Sequence, residues 1–508
     1  MNLTPEQIDI CETYANLTPG QTLVVNANAG TGKTSTAVAL ISRIPSRESK
    51  RFVAFSKDIA TELGTRLDGT GAEVKTVHAL GFGTLMRGLG AKPKVEAAKY
   101  RMLIEAYKTN RPLSIDAEQE LPAYLDMVRV TLTDFTDEDA CYTMCLERDI
   151  DTEFFSALFA AGKVIIPWGM NGGDFRSGNR FAATEMIDFT DMLYVPYHFD
   201  LTPYQVDNLI VDECQDLSPA QLDLVLKSVK PTGRMLFVGD PNQAIFGFAG
   251  ADHNSFQNIV TRTNATVLPL SICWRCPRLV LATVQDYVPS IKPAPNAPDG
   301  FVANLVIDHL LGNVKAKDMV LCRTTAPLIS VAFEMIRAGI PCMVKGRAIG
   351  EGLMALIKKA TKRKAYDFAN LPEILLNYQS REILRLQGKV GSENALMTLT
   401  DRVDTLLCVL ESGEITSEAE LARYFDRLFG ERASGQQVVL STAHRAKGLE
   451  AHNVYLLCPE LMPHPMAKSA AAQTQEHNLR YVAHTRAMST LTLVDSGDRF
   501  KRKKKKEG

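Results

Sequence analysis

The sequence predicts an α/β fold: two cores built on parallel sheets with helices on both faces, each interrupted by a mainly helical insertion. Short apolar runs ending in polar motifs recur along the chain: LVVNANAG, RFVAFSK, NLIVDECQD, MLFVGDPNQ, MVLCRTT, VVLSTAH and VYLLCPE. Helical stretches lie between them, the alternation expected of open parallel sheets. The runs form two sets, one before about Leu270 and one after, and each set is broken by a helical region.

In chain order, residues 1–84 and 181–270 are expected to form the first core, with 85–180 inserted into it. The insertion opens helically (KVEAAKYRMLIEAYKTN) and becomes irregular at GMNGGDFRSGNR. Residues 271–350 and 435–500 are expected to form the second core. Its insertion, 351–434, carries two charged helical stretches, MALIKKATKRKAYDF and LLNYQSREILRLQ. No solenoid repeat is visible, and the only low-complexity segment is the basic tail at 501–508, KRKKKKEG. That tail reads as a solvated end, a source of nonspecific phosphate affinity or a nuclear import signal.

With 508 residues and 45% hydrophobic content, the chain can bury the cores of two or more domains. No stretch approaches the uninterrupted apolar length of a membrane span, and MNLTPEQIDICETY lacks the order of a signal peptide. The expected setting is therefore cytoplasmic, in a bacterium or phage, or nuclear in a eukaryote, with no membrane partner. Ten scattered cysteines do not form a secreted disulfide framework, and the one CxxC, Cys273 to Cys276, has no second pair to complete a zinc site. Net charge is −1, and the tail is strongly basic. A nucleic-acid path must then be a local basic groove and not a global field.

The stretch NANAGTGKTS joins an apolar run to the helical TAVALISRI. It fits GxxxxGK[ST] except that Ala27 stands where the first glycine is usual. The expected nucleotide contacts are Asn28, Ala29, Gly30, Thr31, Gly32, Lys33, Thr34 and Ser35. Backbone N–H groups curl round phosphate, Lys33 reaches the β and γ oxygens, and Thr34 ligates Mg²⁺. Such a site needs an acidic partner at the end of another strand, and LIVDECQD supplies it. Asp212 is placed to hold Mg²⁺, directly or through water, and Glu213 to orient the attacking water. In MLFVGDPNQAIFGFAGAD, Gln243 offers a neutral amide that can sense the γ-phosphate without taking a proton.

The ordered series LTPEQ, ANAGTGKT, VAFSK, TVHALG, IDFTDML, LIVDECQD, VGDPNQAIFGFAGAD, LSICWRCP, VLCRTTAPL, STAHRAKGLE and EHNLRYVAHTRA resembles the motif set of UvrD/Rep-like superfamily 1A DNA helicases. It runs from Leu3 to Ala487, so only the insertions and the tail lie outside it. The resemblance implies two RecA-like P-loop motor domains with ATP between them, so that each turnover closes and reopens a cleft. It implies that Gln7 reads the adenine edge, Trp274 stacks near the base, Arg275 and Arg486 contact the γ-phosphate, and Glu450 contacts the ribose or the phosphate network. Both arginines are read as following or occupying helical segments, and burial in a core would equally explain Trp274. The strand-contacting positions fall on Phe55 and Lys57, Thr76 and His78, Phe189, Phe246 and Phe248, Arg323, and Thr442 and His444. Singly, each Phe also fits a core position. The sequence departs from the family at Phe246, where Tyr is usual, and at Ala249, where Arg is usual. That second change removes a cation between the ATP and DNA positions.

The expected activity is DNA-dependent ATP hydrolysis with Mg²⁺, translocation on single-stranded DNA and opening of duplex at single-strand/double-strand junctions. The 3′ to 5′ polarity is implied by the resemblance alone. The expected state is a monomer, and expected partners include a single-strand-binding protein, a recombinase or a nuclease. Two other readings stay open: a translocase that strips proteins from DNA with little unwinding, and a nucleotide-gated DNA-binding subunit that depends on a partner. RNA is not distinguished from DNA by spacing, since stacking platforms accept either backbone.

Overall fold

The computed structural model describes residues 3–90, 92–148, 150–171, 185–245, 254–362, 365–387, 393–411, 413, 415–430, 435–497 and 499–500. The chain divides into two compact units, Met1–Ser271 and Ile272–Gly508. Every strand pairing among the described residues is parallel.

The first unit holds a six-stranded sheet of β1 (Thr22–Ala27), β2 (Lys50–Ala54), β3 (Ala72–Thr76), β4 (Val206–Val211), β5 (Val229–Gly239) and β6 (Thr266–Leu270), in the spatial order β3-β2-β4-β5-β1-β6. Its strands read as nearly continuous apolar runs because both faces are covered. Leu23 and Val25 of β1 pack on one side with Phe52, Ile210, Leu236 and Val238. The intervening Val24 packs on the other with Val53, Leu209, Val211 and Phe237. Alternate residues of one strand thus serve two separate cores, as the two-residue side-chain period requires.

Between β3 and β4 lies a helical layer with its own core, built from the helices Lys99–Lys108, Ile115–Thr131, Glu138–Glu147 and Phe155–Asn171. The expected helix at KVEAAKYRMLIEAYKTN begins only at Lys99, because Lys94–Val95 instead pairs with Met186–Ile187 in a two-stranded ribbon. Most of the irregular stretch GMNGGDFRSGNR lies outside the described residues.

Among the described residues the second unit holds a seven-stranded sheet of β7 (Phe301–Val306), β8 (Met319–Cys322), β9 (Cys342–Lys345), β10 (Phe429–Gly430), β11 (Val438–Thr442), β12 (Ala451–Leu457) and β13 (Ala487–Asp495). Their order is β7-β13-β12-β8-β11-β9-β10. The helices Arg347–Ala360, Leu371–Leu386, Glu393–Glu411 and Glu418–Leu428 share one core with this sheet. The first of them stops at Ala360, so the helical reading of MALIKKATKRKAYDF holds only for its first half. The basic tail lies outside the described residues.

Candidate nucleotide site and nucleic-acid faces

Three loops meet at the C-terminal edge of the first sheet, where parallel α/β sheets bind ligands. They follow the adjacent strands β4, β5 and β1. Ala27 closes β1 as a fully buried strand residue, so a glycine is not needed there. The turn proper is made by Gly30 (φ 68°) and Gly32 (φ 85°), both in the left-handed region. Thr31 Oγ1 donates to the Asn28 carbonyl at 2.8 Å and closes the loop. Gly32 then leads into the helix Lys33–Ile41, whose first N–H groups are available to phosphate.

The acidic loop after β4 faces this turn. Thr34 Oγ1 donates to Asp212 Oδ2 at 2.8 Å, and Lys33 Nζ lies 3.4 Å from Glu213 Oε2. Burial opposes a charge on Lys33, but Glu213, Asp240 and Asp212 together hold its pKa above the ordinary value. Burial, reinforced by Glu213, pushes Asp212 up to about 6. Three carboxylates thus crowd one ammonium, a donor set with room for further positive charge, which fits a divalent cation. Glu213 adopts φ 52°, a strained conformation for a residue with a side chain, which turns its carboxylate toward Lys33.

Gln243 sits in the short turn Pro241–Gln243 after β5, buried, with its amide donating to Asp240 Oδ2 at 2.7 Å. Gln215 connects the two loops: its amide donates to Glu213 Oε2 at 2.6 Å, while its oxygen accepts from the Asp240 N–H at 3.0 Å. The sequence reading assigned Gln215 no role, although its place in the acidic string was the available signal. Gln7 is buried beside the phosphate loop. It caps its own helix through the Thr4 N–H (3.0 Å) and donates to Thr36 Oγ1 at 2.8 Å. Ser35 lies in the first turn of the helix after the loop.

Four of the positions expected to touch nucleic acid, Phe55, Lys57, Thr76 and His78, also lie at the C-terminal sheet edge. Ala54 and Thr76 are register partners at the ends of β2 and β3, so Phe55 and Lys57 stand beside Thr76 and His78. Phe55 and Phe189 are 44% and 57% exposed, which sets them apart from core aromatics. Lys57 is exposed at the start of its helix. The Thr76 hydroxyl caps the next helix by accepting from the Ala79 N–H at 3.2 Å. Burial lowers the pKa of His78 against the opposing pull of Asp126. Phe246, Phe248 and Ala249 lie outside the described residues.

On the second unit the candidate residues separate to opposite ends of the sheet. Arg323 follows β8 and His444 follows β11, whose last residues Cys322 and Thr442 are register partners. Arg323 is held by the buried Glu476, with Nε 2.9 Å from both carboxylate oxygens and Nη2 2.6 Å from one. Burial, with Arg323 and Arg445 nearby, holds His444 neutral well below its ordinary pKa. Thr442 is buried.

At the N-terminal end, Glu450 precedes β12 and Arg486 precedes β13. The Ala451 N–H donates to the Arg486 carbonyl at 3.1 Å, and Arg275 Nε lies 2.8 Å from Glu450 Oε2. Arg486 directs Nε to the Val482 carbonyl (2.9 Å) and Nη1 to that of Leu449 (3.2 Å), and is almost wholly buried. It follows a helix as expected, whereas Arg275 follows the two-residue strand Ile272–Cys273 and precedes the helix Arg278–Ala282. A turn between Cys273 and Cys276, where the Cys276 N–H approaches Cys273 Sγ at 3.4 Å, takes the place of the expected helical context. All ten cysteines are free. Trp274 is 58% exposed and is no core aromatic of this unit.

A family profile described as an AAA domain matches residues 12–249, the span from the first helix past Gln243. F-box DNA helicase protein 1 of Schizosaccharomyces pombe is 24% identical, aligned over 97% of this chain and 57% of its own length. F-box DNA helicase 1 of Gallus gallus is also 24% identical, over 94% of this chain and 48% of its own. DNA helicase II of Haemophilus influenzae is 22% identical, over 61% and 59% respectively. The chain thus spans about half the length of the curated relatives it matches. No helix among the described residues is long and apolar enough to cross a membrane. With the phosphate loop, the acidic loop and the ordered motifs in place, the chain is similar to these DNA helicases, in keeping with its resemblance to the UvrD-like helicases of superfamily 1.

Proposed function

We propose that the protein is an ATP-driven motor that moves 3′ to 5′ along single-stranded DNA and separates duplex in repair, recombination or replication. One observation supports the reading: the residues expected to bind nucleotide and several of those expected to touch a strand lie along one edge of the same sheet. The loops after β1, β4 and β5 hold Lys33, Glu213 and Gln243, and the loops after the neighbouring β2 and β3 present Phe55 and Thr76. A shift of the acidic loop on phosphate release would reach Phe55 one strand away and Thr76 two strands away.

In this reading Lys33 binds the β and γ oxygens, and Thr34 and Asp212 would hold Mg²⁺, which would supply positive charge against the phosphates. Glu213 orients the attacking water, Gln215 fixes the Glu213 carboxylate, and Gln243 responds to the γ-phosphate. Gln7 reads the adenine edge. Arg275 and Arg486 supply charge to the transferring phosphoryl group, with Glu450 releasing Arg275 for that task, and Trp274 stacks near the base. These four assignments in the second unit rest on the motif resemblance. Opening duplex costs about 1.4 kcal/mol per base-pair step, within reach of one ATP.

The test is ATP hydrolysis by wild type and Glu213→Gln with no nucleic acid, single-stranded DNA, single-stranded RNA or blunt duplex. Strong stimulation by single-stranded DNA that the variant loses supports the motor. Equal rates in all four conditions refute it and favour a partner-gated subunit.

A further inference from the structure

The turn that carries the exposed Phe189 is flanked by two aspartates of a cluster of four buried charges outside the nucleotide site. Lys99 and Asp191 are 0% exposed and Arg129 is 2% exposed. Arg129 Nη1 donates to Asp188 Oδ1 (2.9 Å) and Asp191 Oδ1 (2.8 Å), and Nη2 donates to Asp188 Oδ2 (2.9 Å). Lys99 Nζ donates to Asp191 Oδ2 (2.6 Å) and to the Gly169 carbonyl (2.7 Å). The Tyr100 hydroxyl donates to Asp191 Oδ1 at 3.2 Å, and its ring lies 3.6 Å from the Arg129 guanidinium carbon. All four oxygens of Asp188 and Asp191 are satisfied, and the more exposed Asp126 approaches Arg129 Nη2 at 3.5 Å from outside the cluster.

The two aspartates also lock the backbone between them. The Asp188 N–H donates to Asp191 Oδ2 (3.1 Å), and the Asp191 N–H donates to Asp188 Oδ1 (2.7 Å). Only Phe189 and Thr190 lie inside this reciprocal clasp, and the Thr190 hydroxyl is itself tied to Asp126. Three helices of the insertion, carrying Lys99 and Tyr100, Arg129, and Gly169, therefore converge on one turn whose outward side chain is Phe189. Apolar packing could join the same helices at lower desolvation cost. What directed bonds add is a fixed orientation of the turn, which a stacking ring with two side-chain torsions needs in order to meet a base face on.

We infer that Lys99, Arg129, Asp188 and Asp191 are positioning residues that hold the Phe189 ring ready to stack on a base of single-stranded nucleic acid. The inference rests on the reading of Phe189 as a stacking platform.

The test is a double-mutant cycle in the full chain, with affinity for an oligo-dT strand read by anisotropy and stacking read by the fluorescence of a 2-aminopurine placed in that strand. Phe189→Ala is expected to weaken binding about 5- to 150-fold. Arg129→Lys, and the milder Tyr100→Phe in case the lysine variant does not fold, are expected to weaken binding and brighten the 2-aminopurine. In the Phe189→Ala background both effects should vanish, because the cluster then has no ring to orient. Full additivity with Phe189→Ala, or unchanged affinity in both cluster variants, overturns the inference and leaves the cluster a joint between helices. If Phe189→Ala binds as well as wild type, the platform reading fails, and the inference fails with it.

Discussion

The Lys33 ammonium stands 3.4 Å from the Glu213 carboxylate, so the group that should bind phosphate is paired with the group that should orient water. On the proposed reading ATP would part them, since its β and γ oxygens would compete for the same ammonium. Lys33→Met is then expected to weaken ATP binding at least tenfold. Glu213→Gln should keep or improve ATP binding while slowing single-turnover hydrolysis by about 10² to 10⁴. Equilibrium titration with a fluorescent ATP analogue, beside quenched-flow hydrolysis, separates the two variants, and equal loss of binding in both would contradict the division of labour.

Arg275 is held by Glu450 at 2.8 Å, with both side chains partly exposed. A pair of this kind contributes little to stability, about 0 to 1 kcal/mol, so its removal should be felt in turnover. Arg275→Ala is expected to lower DNA-stimulated hydrolysis about 10³-fold or more, with the melting temperature within a degree or two of wild type. A large melting shift with normal hydrolysis would make the arginine a structural tie.

Two glycines of the helix Val77–Gly88 make a matched pair. A Cβ on Gly81 would collide with the Met192 carbonyl, where this helix meets Asp191–His198, whereas a Cβ on Gly83 meets nothing within 4 Å. Gly81→Ala should destabilise the first unit by about 1 to 3 kcal/mol. Gly83→Ala should stabilise it by up to about 1 kcal/mol through helix propensity. Thermal melts of the two variants should therefore move in opposite directions.

His484 ends the helix Ala470–His484 with Nδ1 2.7 Å from Thr283 Oγ1. Burial, with Arg480 nearby, lowers its pKa from 6.5 to about 3. The folded form refuses a proton that the unfolded chain accepts, so this contribution is full above pH 6.5 and is lost as pH falls toward 3. Between neutral pH and pH 4.5 the loss amounts to roughly 2 to 3 kcal/mol. His484→Gln should melt lower than wild type at neutral pH and show a smaller drop on acidification. An identical pH slope in both proteins would discount His484 as an acid-sensitive group.

The strands were legible because both of their faces are buried, which leaves runs such as Leu209-Ile210-Val211 that need no alternation to be recognised. The phosphate loop was legible because its glycines and lysine are local in sequence. Gln215 was not, because its value lies in bridging two loops that only the sheet brings together. The Arg323–Glu476 pair and the Lys99–Arg129 cluster were hidden for the same reason: each joins residues far apart in the chain, and a charge alone does not announce its partner. The exposure of Phe55, Phe189 and Trp274 was likewise out of reach, since an aromatic in a motif looks the same whether it fills a core or faces solvent.

The pairing of β1 bears on how the chain is made. Val25 aligns with Val238 on one side and Leu268 on the other, so the strand that carries the phosphate loop has no sheet neighbour until the far end of the first unit has been synthesised. At 5 to 20 residues per second, that strand waits on the order of 10 to 50 s as an unpaired apolar segment on the nascent chain. The helices inserted before β4 have a core of their own and can condense meanwhile. A ribosome-bound chain arrested before Val238 should therefore present a protected helical layer beside a protease-sensitive segment around β1, the natural point for a chaperone to intervene.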